Sequence, residues 1–192
     1  MIVAFLQSLD AAPCYTKPMT PPILNIDALE LQSWGHGVSI PGAGQASDRY
    51  QARIGFLGRQ LGAKKLGYNL TVLSPGKSAF PFHCHSVNEE MFFVVEGRGE
   101  IRLGEARHTI RAGDVIACPP GGPETAHQIV NTSETDLRVL SVSSRFSPEV
   151  CEYPDTGRFG LIAEMSNDVD GNPRELRFMG RAGASLDYWE GE

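Results

Sequence analysis

Residues 76–97 read GKSAFPFHCHSVNEEMFFVVEG, and this stretch decides the fold. Its second half carries a short apolar run, Met91 to Val95, closed by Gly97. That length and punctuation belong to a strand rather than a helix. Its first half places His83 and His85 two residues apart. Successive side chains of a strand point to opposite faces, so both imidazoles project to one side and Cys84 to the other. A carboxylate, Glu89 or Glu90, follows after a turn at the start of the next strand, and a third histidine, His127, opens a later one (HQIVN, 127–131). A lone histidine is ordinarily a surface or hydrogen-bonded core residue. Two on one strand, with a carboxylate and a third imidazole from neighbouring strands, are what a compact N/O metal site needs.

Working outward, Ile54 to Leu57 and Leu66 to Leu73 (LGYNLTVL) alternate as strands do, and the SPGK turn at 74–77 leads into the central stretch. After it come GEIRLG, ARHTIRAG and DVIACPPGG, each closed by Gly or Pro, then HQIVN and LRVLSVS (137–143). Short strands with a turn signal about every ten residues predict an all-β sandwich or barrel. Upstream, residues 1–25 read as an irregular arm with Pro13, Pro18, Pro21 and Pro22. Ile26 to Ser33 reads as a short helix or an edge strand, and Gly35 to Asp48 as loop. Past Phe146 the pattern fades, although Phe159, Leu161, Ile162, Leu176, Phe178, Tyr188 and Trp189 make the tail too apolar for disorder throughout. The expected layout is an arm and entry segment over 1–49, a barrel over 50–146, and an extension over 147–192 that packs on the barrel or on a partner subunit. Exposed barrel edges and an apolar tail need covering, so a homodimer is expected.

The 192 residues hold 17 basic and 23 acidic side chains, for a formal net charge of −6, which gives nucleic acid no electrostatic footprint. No apolar run is long enough to span a bilayer as a helix. The opening MIVAFLQSLDAAP has no basic n-region and only a short apolar stretch, so a cytoplasmic location is expected. Cys14, Cys84, Cys118 and Cys151 form neither a C-x-x-C pair nor a disulfide framework and read as reduced thiols. The sequence has no P-loop and no G-x-S-x-G.

The glycine spacing around the histidines resembles the two motifs of the cupin superfamily, in its single-domain form. Gly76, His83, His85, Glu90 and Gly97 fill the first motif, and Gly113, Pro119, Gly121, His127 and Asn131 fill the second. The six residues between carboxylate and Gly97 select Glu90 over Glu89. Two spacers depart from the usual pattern, by one residue before His83 and by three before His127, where PPGGPETAH should reshape the pocket mouth without displacing His127. The resemblance spans roughly residues 66 to 143. It implies a double-stranded β-helix, a jelly-roll barrel, with one divalent transition metal inside, held by His83, His85, Glu90 and His127. Mn, Fe, Zn, Ni, Co or Cu would accept such ligands.

Strand parity places Phe92 and Val94 on the interior with Glu90. Tyr68, Leu70 and Val72 are read as the inward set of the preceding strand, with Tyr68 either bonding a bound ligand or filling the barrel. Gln128 is expected to face away from His127, and His108 to be exposed. Members of this superfamily host unrelated functions, so the fold does not choose the reaction. The resemblance implies a metal-dependent enzyme on a small oxygen-rich molecule, with a preference for a sugar-phosphate isomerase. An Fe-dependent dioxygenase and a non-catalytic sugar or small-ligand binder are the alternatives. A phosphorylated substrate needs cations at the pocket, for which Arg53, Lys64, Lys65 and Lys77 are candidates.

Overall fold

The computed structural model describes residues 22–38 and 45–191. Cys14 and most of the arm expected over residues 1–25 lie outside them. The described residues form thirteen strands: β1 (Gln32–Gly35), β2 (Gln51–Gly55), β3 (Leu66–Leu73), β4 (Cys84–His85), β5 (Glu90–Glu96), β6 (Arg98–Leu103), β7 (Ala106–Arg111), β8 (Val115–Cys118), β9 (His127–Val130), β10 (Leu137–Ser144), β11 (Glu149–Tyr153), β12 (Arg158–Met165) and β13 (Arg174–Gly180). They pair as a six-stranded sheet β1-β2-β3-β10-β5-β8, a four-stranded sheet β13-β12-β11-β4 and a three-stranded sheet β7-β6-β9. The fold is an all-β double-stranded β-helix. Among the described residues no helix is long and apolar enough to cross a membrane.

The interior lies between the sheets and is filled by Ile54, Leu73, Phe92, Val94, Ile101, Ile110, Ile116, Leu137 and Val139. Burial of such side chains drives closure of the barrel. Two motif residues serve closure too. Gly97 has φ +87°, and a Cβ there would lie 2.5 Å from the carbonyl oxygen of Asp136. Only glycine combines that backbone with that approach. Asn131 is fully buried, donates from Nδ2 to the carbonyls of Leu73 and Thr135 at 2.7 Å each, and accepts from Ser133 N–H at 3.0 Å.

Several elements differ from the sequence-based reading. The strand expected over Ile54 to Leu57 is Gln51–Gly55, and Leu57 instead begins a one-turn helix, Leu57–Gln60. Ile26 to Ser33 divides into a 3-10 turn, Ile26–Ala28, capped by the Asn25 side chain, and the start of β1. The fading tail contains three strands. Their alternation is faint because β13 is mostly exposed and β12 mostly half-buried, and little burial selects for it.

The parity of β3 is the reverse of that expected. Tyr68 and Leu70 pack outward with Leu29, Leu57, Val95 and Leu140, whereas Thr71 and Leu73 face the interior cavity. From Gly67 onward β3 is covered on both faces, because the segment carrying Leu24, Ile26, Leu29 and Leu31 lies over its outer side. A strand covered twice shows no clean alternation. Tyr68 therefore belongs to the outer apolar cluster rather than to the cavity wall.

Candidate metal centre

His83 stands just before β4, and His85 ends that two-residue strand. An antiparallel bridge joins His83 to His127, with His127 N–H donating to His83 O at 2.7 Å and His83 N–H to His127 O at 3.2 Å. Glu90 opens β5, where it lies in register with Ser143 of β10 and Cys118 of β8. The topology thus brings His83, His85, Glu90 and His127 together: each offers one ligand atom, and these atoms lie within 4.8 Å of one another. All four are buried, at 2 to 4% exposure. Glu89 is exposed, one residue out of phase. Cys84 packs on the other side with Phe82 and Ala126.

The donor chemistry fits a divalent metal ion. His83 Nδ1–H donates to Pro81 O at 2.8 Å, which leaves the Nε2 lone pair for a ligand, and Nε2 is buried with no hydrogen-bond partner. Neither ring nitrogen of His85 makes a hydrogen bond, though Nε2 stands 3.4 Å from Glu90 Oε2. His127 Nε2 lies 3.0 Å from the same oxygen. Buried polar atoms are normally paired, so orphaned imidazole nitrogens around one carboxylate mark a site for a cation.

The electrostatics agree. Burial, and then the neighbouring His127 and His85, hold the His83 imidazole well below its usual range, keeping it neutral and ready to ligate. Burial works against the Glu90 carboxylate, but His85 and His127 outweigh it and hold its carboxyl well below the usual range. Burial likewise opposes charge on His127, yet Cys118 and Glu90 beside it raise its pKa to about 10.

His83 and His127 open on a cleft of about 390 Å³, mouth included. Its wall is mostly apolar, from Leu73, Phe80, Phe92, Ile129 and Val139, with Thr71, Ser141 and Gln128 as neutral polar groups. Phe92 meets His127 edge to face at 5.4 Å between ring centroids. Gln128, expected to point away, contributes to the wall and donates from Nε2 to Phe80 O at 2.8 Å. Asn69 Oδ1 and Ser143 Oγ are two more buried polar atoms without a partner. Among the described residues none of those lining the cleft is Lys or Arg. Arg53 pairs with Asp136 and Lys77 with Asp48, while Lys64 and Lys65 are exposed. His108 is exposed on β7.

Sequence reasoning missed the part played by β11. Cys151 lies in register with His85, and the Tyr153 ring stacks toward His83 at 6.2 Å between centroids. Burial pushes the Cys151 thiol and the Tyr153 phenol up, so both are neutral walls. Ser141 and Ser143 were also missed, although the alternation of LRVLSVS marks them once its apolar Leu137 and Val139 are known to face inward.

The family model of the cupin domain matches residues 69–143. Over 101 residues the chain is 36% identical to auxin-binding protein 1 of Arabidopsis thaliana, covering 49% of this chain and 50% of that protein. It is 34% identical over 72 residues to an uncharacterized protein of Methanocaldococcus jannaschii, covering 38% and 48%. The chain spans about half the length of these curated relatives. The crystal structure of a sugar phosphate isomerase from a cupin superfamily, from Silicibacter pomeroyi, superposes with a TM-score of 0.65 and 26% identity, covering 87% of this chain and 98% of that one.

Proposed function

We propose that this chain, whose residues 69–143 are a cupin domain, is a metal-dependent enzyme acting on a small hydroxy-carbonyl molecule, with isomerisation as the reaction. The observation that carries the reading is the four-ligand cluster whose His83 and His127 line an open-mouthed cleft. His83, His85, Glu90 and His127 would hold the ion. Bound there, a divalent metal would act as a Lewis acid toward a carbonyl oxygen. The chain's own groups do the rest: Thr71, Ser141 and Gln128 orient substrate oxygens, while Leu73, Phe92 and Val139 keep water out. The likeness to the Silicibacter pomeroyi sugar phosphate isomerase supports this choice of reaction. Among the described residues the cleft wall has no Lys or Arg, so a phosphate group of the substrate would sit at or beyond the mouth they form.

A second reading, a small-ligand binding protein, is favoured by one observation. Apart from its histidines, the cleft wall carries, among the described residues, no group that titrates near neutrality and could move a proton. The relation to auxin-binding protein 1 points the same way. Elemental analysis of the purified protein comes first. The metal-loaded protein is then incubated in D2O with small 2-hydroxy aldehydes and ketones, with and without phosphate. Metal-dependent deuterium uptake beside the carbonyl, lost in His85→Ala, supports the enzyme. Ligand binding without exchange would replace it with the binding reading.

A further inference from the structure

Glu149, the first residue of β11, is 1% exposed, and its carboxylate is satisfied by amides. Its Oε1 accepts the N–H groups of Ser86 at 3.0 Å and Val87 at 3.1 Å. Its Oε2 accepts the N–H of Asn88 at 2.7 Å and also the Asn88 side-chain amide. Three consecutive backbone N–H groups converging on one point make an anion-binding concavity, and here the protein fills it with its own side chain. A buried carboxylate is costly unless donors of this kind surround it.

The segment so held, residues 86–89, is the whole of the chain between His85 and Glu90. Its far side is fastened as well. Asn88 Oδ1 accepts from Phe146 N–H at 2.6 Å and from Ser144 Oγ–H at 3.0 Å. Ser144 Oγ accepts from Glu89 N–H at 3.0 Å, and Ser144 N–H donates to Glu89 O at 3.0 Å. Ser86 N–H is shared with Val150 O at 2.9 Å. Every residue of this connector is therefore pinned, and each pin leads to the stretch 144–150.

We propose that Glu149 is a positioning residue of the metal centre: by clamping residues 86–88 it sets the separation and orientation of His85 and Glu90. The inference rests on the metal-centre reading above. Glu149 touches neither metal nor substrate; it acts through the connector, much as the outer partners of metal ligands do.

The test is Co(II) titration of the metal-free protein, followed by visible absorption, with the melting temperature measured alongside. Glu149→Gln turns an acceptor into a donor facing N–H groups and should weaken Co(II) binding about 10- to 100-fold, with a shifted absorption band. Leu29→Ala, in the outer cluster, is the control for lost stability alone. Cobalt affinity within twofold of the parent, or equal weakening in Leu29→Ala at a matching loss of melting temperature, overturns the proposal. If Glu149→Gln does not fold, Ser144→Ala, which removes the Oγ bonds to Glu89 N–H and Asn88 Oδ1 and keeps the backbone bond to Glu89 O, should weaken binding severalfold, and an unchanged affinity then overturns it. If the parent takes up no cobalt, or His85→Ala takes up as much as the parent, the metal-centre reading itself fails and the proposal falls with it.

Discussion

Cys151 stands directly across from His85 in the antiparallel pairing of β11 with β4, so a strand beyond the matched domain forms one wall of the candidate metal centre. The same strand brings Tyr153 toward His83 and Glu149 under the connector. The centre is thus assembled from residues that span 83 to 153 in the sequence.

Glu90 and Glu89 are adjacent but opposite in environment, one 4% exposed among imidazoles and the other on the surface. Glu90→Gln should lower metal retention by at least about tenfold, because the carboxylate supplies the anionic ligand. Glu89→Gln should leave it unchanged. Metal content by mass spectrometry of the two purified variants decides this, and equal retention would contradict the ligand set.

The pH dependence follows from His83 and His127, whose shifts have opposite signs. His127 is raised to about 10, so its contribution to the metal-free fold is complete below 6.5 and fades as pH climbs toward 10. His83 is held neutral below its ordinary 6.5, so protonation of the unfolded chain removes stability as pH falls under that value. Chelated protein should therefore melt highest close to pH 6.5 in a thermal series. Metal must displace the His127 proton, so affinity should rise about tenfold per pH unit on the alkaline side of neutrality. A metal-free melting temperature that climbs steadily through pH 9 would count against both.

Asn131 belongs to a motif yet touches no ligand; its contacts tie Leu73, Ser133 and Thr135 together. Asn131→Ala leaves buried carbonyls unsatisfied and should lower stability by about 2–4 kcal/mol in denaturant unfolding. Metal stoichiometry of the folded fraction should not change. Lost stoichiometry at full stability would assign Asn131 to the site instead.

Gly97→Ala combines a positive φ with a Cβ 2.5 Å from a backbone oxygen, and backbone cannot swing aside as a side chain can. A loss of about 2–4 kcal/mol is expected, above the ordinary glycine-to-alanine effect. A change below about 0.5 kcal/mol would mean that the β5–β6 turn relaxes freely.

Much of the centre was legible because strand parity is a strict rule where one face is buried and the other less so. Glu90, Phe92 and Val94 are buried while Met91, Phe93 and Val95 are half-buried, and that parity followed from anchoring the strand on Glu90. The H-x-H spacing carried the same information for His83 and His85. Parity failed on LGYNLTVL because both faces of β3 are covered, the outer one by residues whose placement depends on tertiary packing. Glu149 was illegible for another reason. Its role depends on three amides more than sixty residues away, and no local pattern marks a carboxylate that will meet them.

The clamp also bears on the order of events during synthesis. A nascent chain that has emerged only as far as Phe146 already displays His83, His85, Glu90 and His127, but neither β11 nor Glu149. If the clamp sets the spacing of the candidate ligands, they would be present before that spacing is fixed, and a site of that kind would discriminate poorly among metals. Selectivity would then be acquired late, when the last part of the barrel wall leaves the ribosome and closes over the connector.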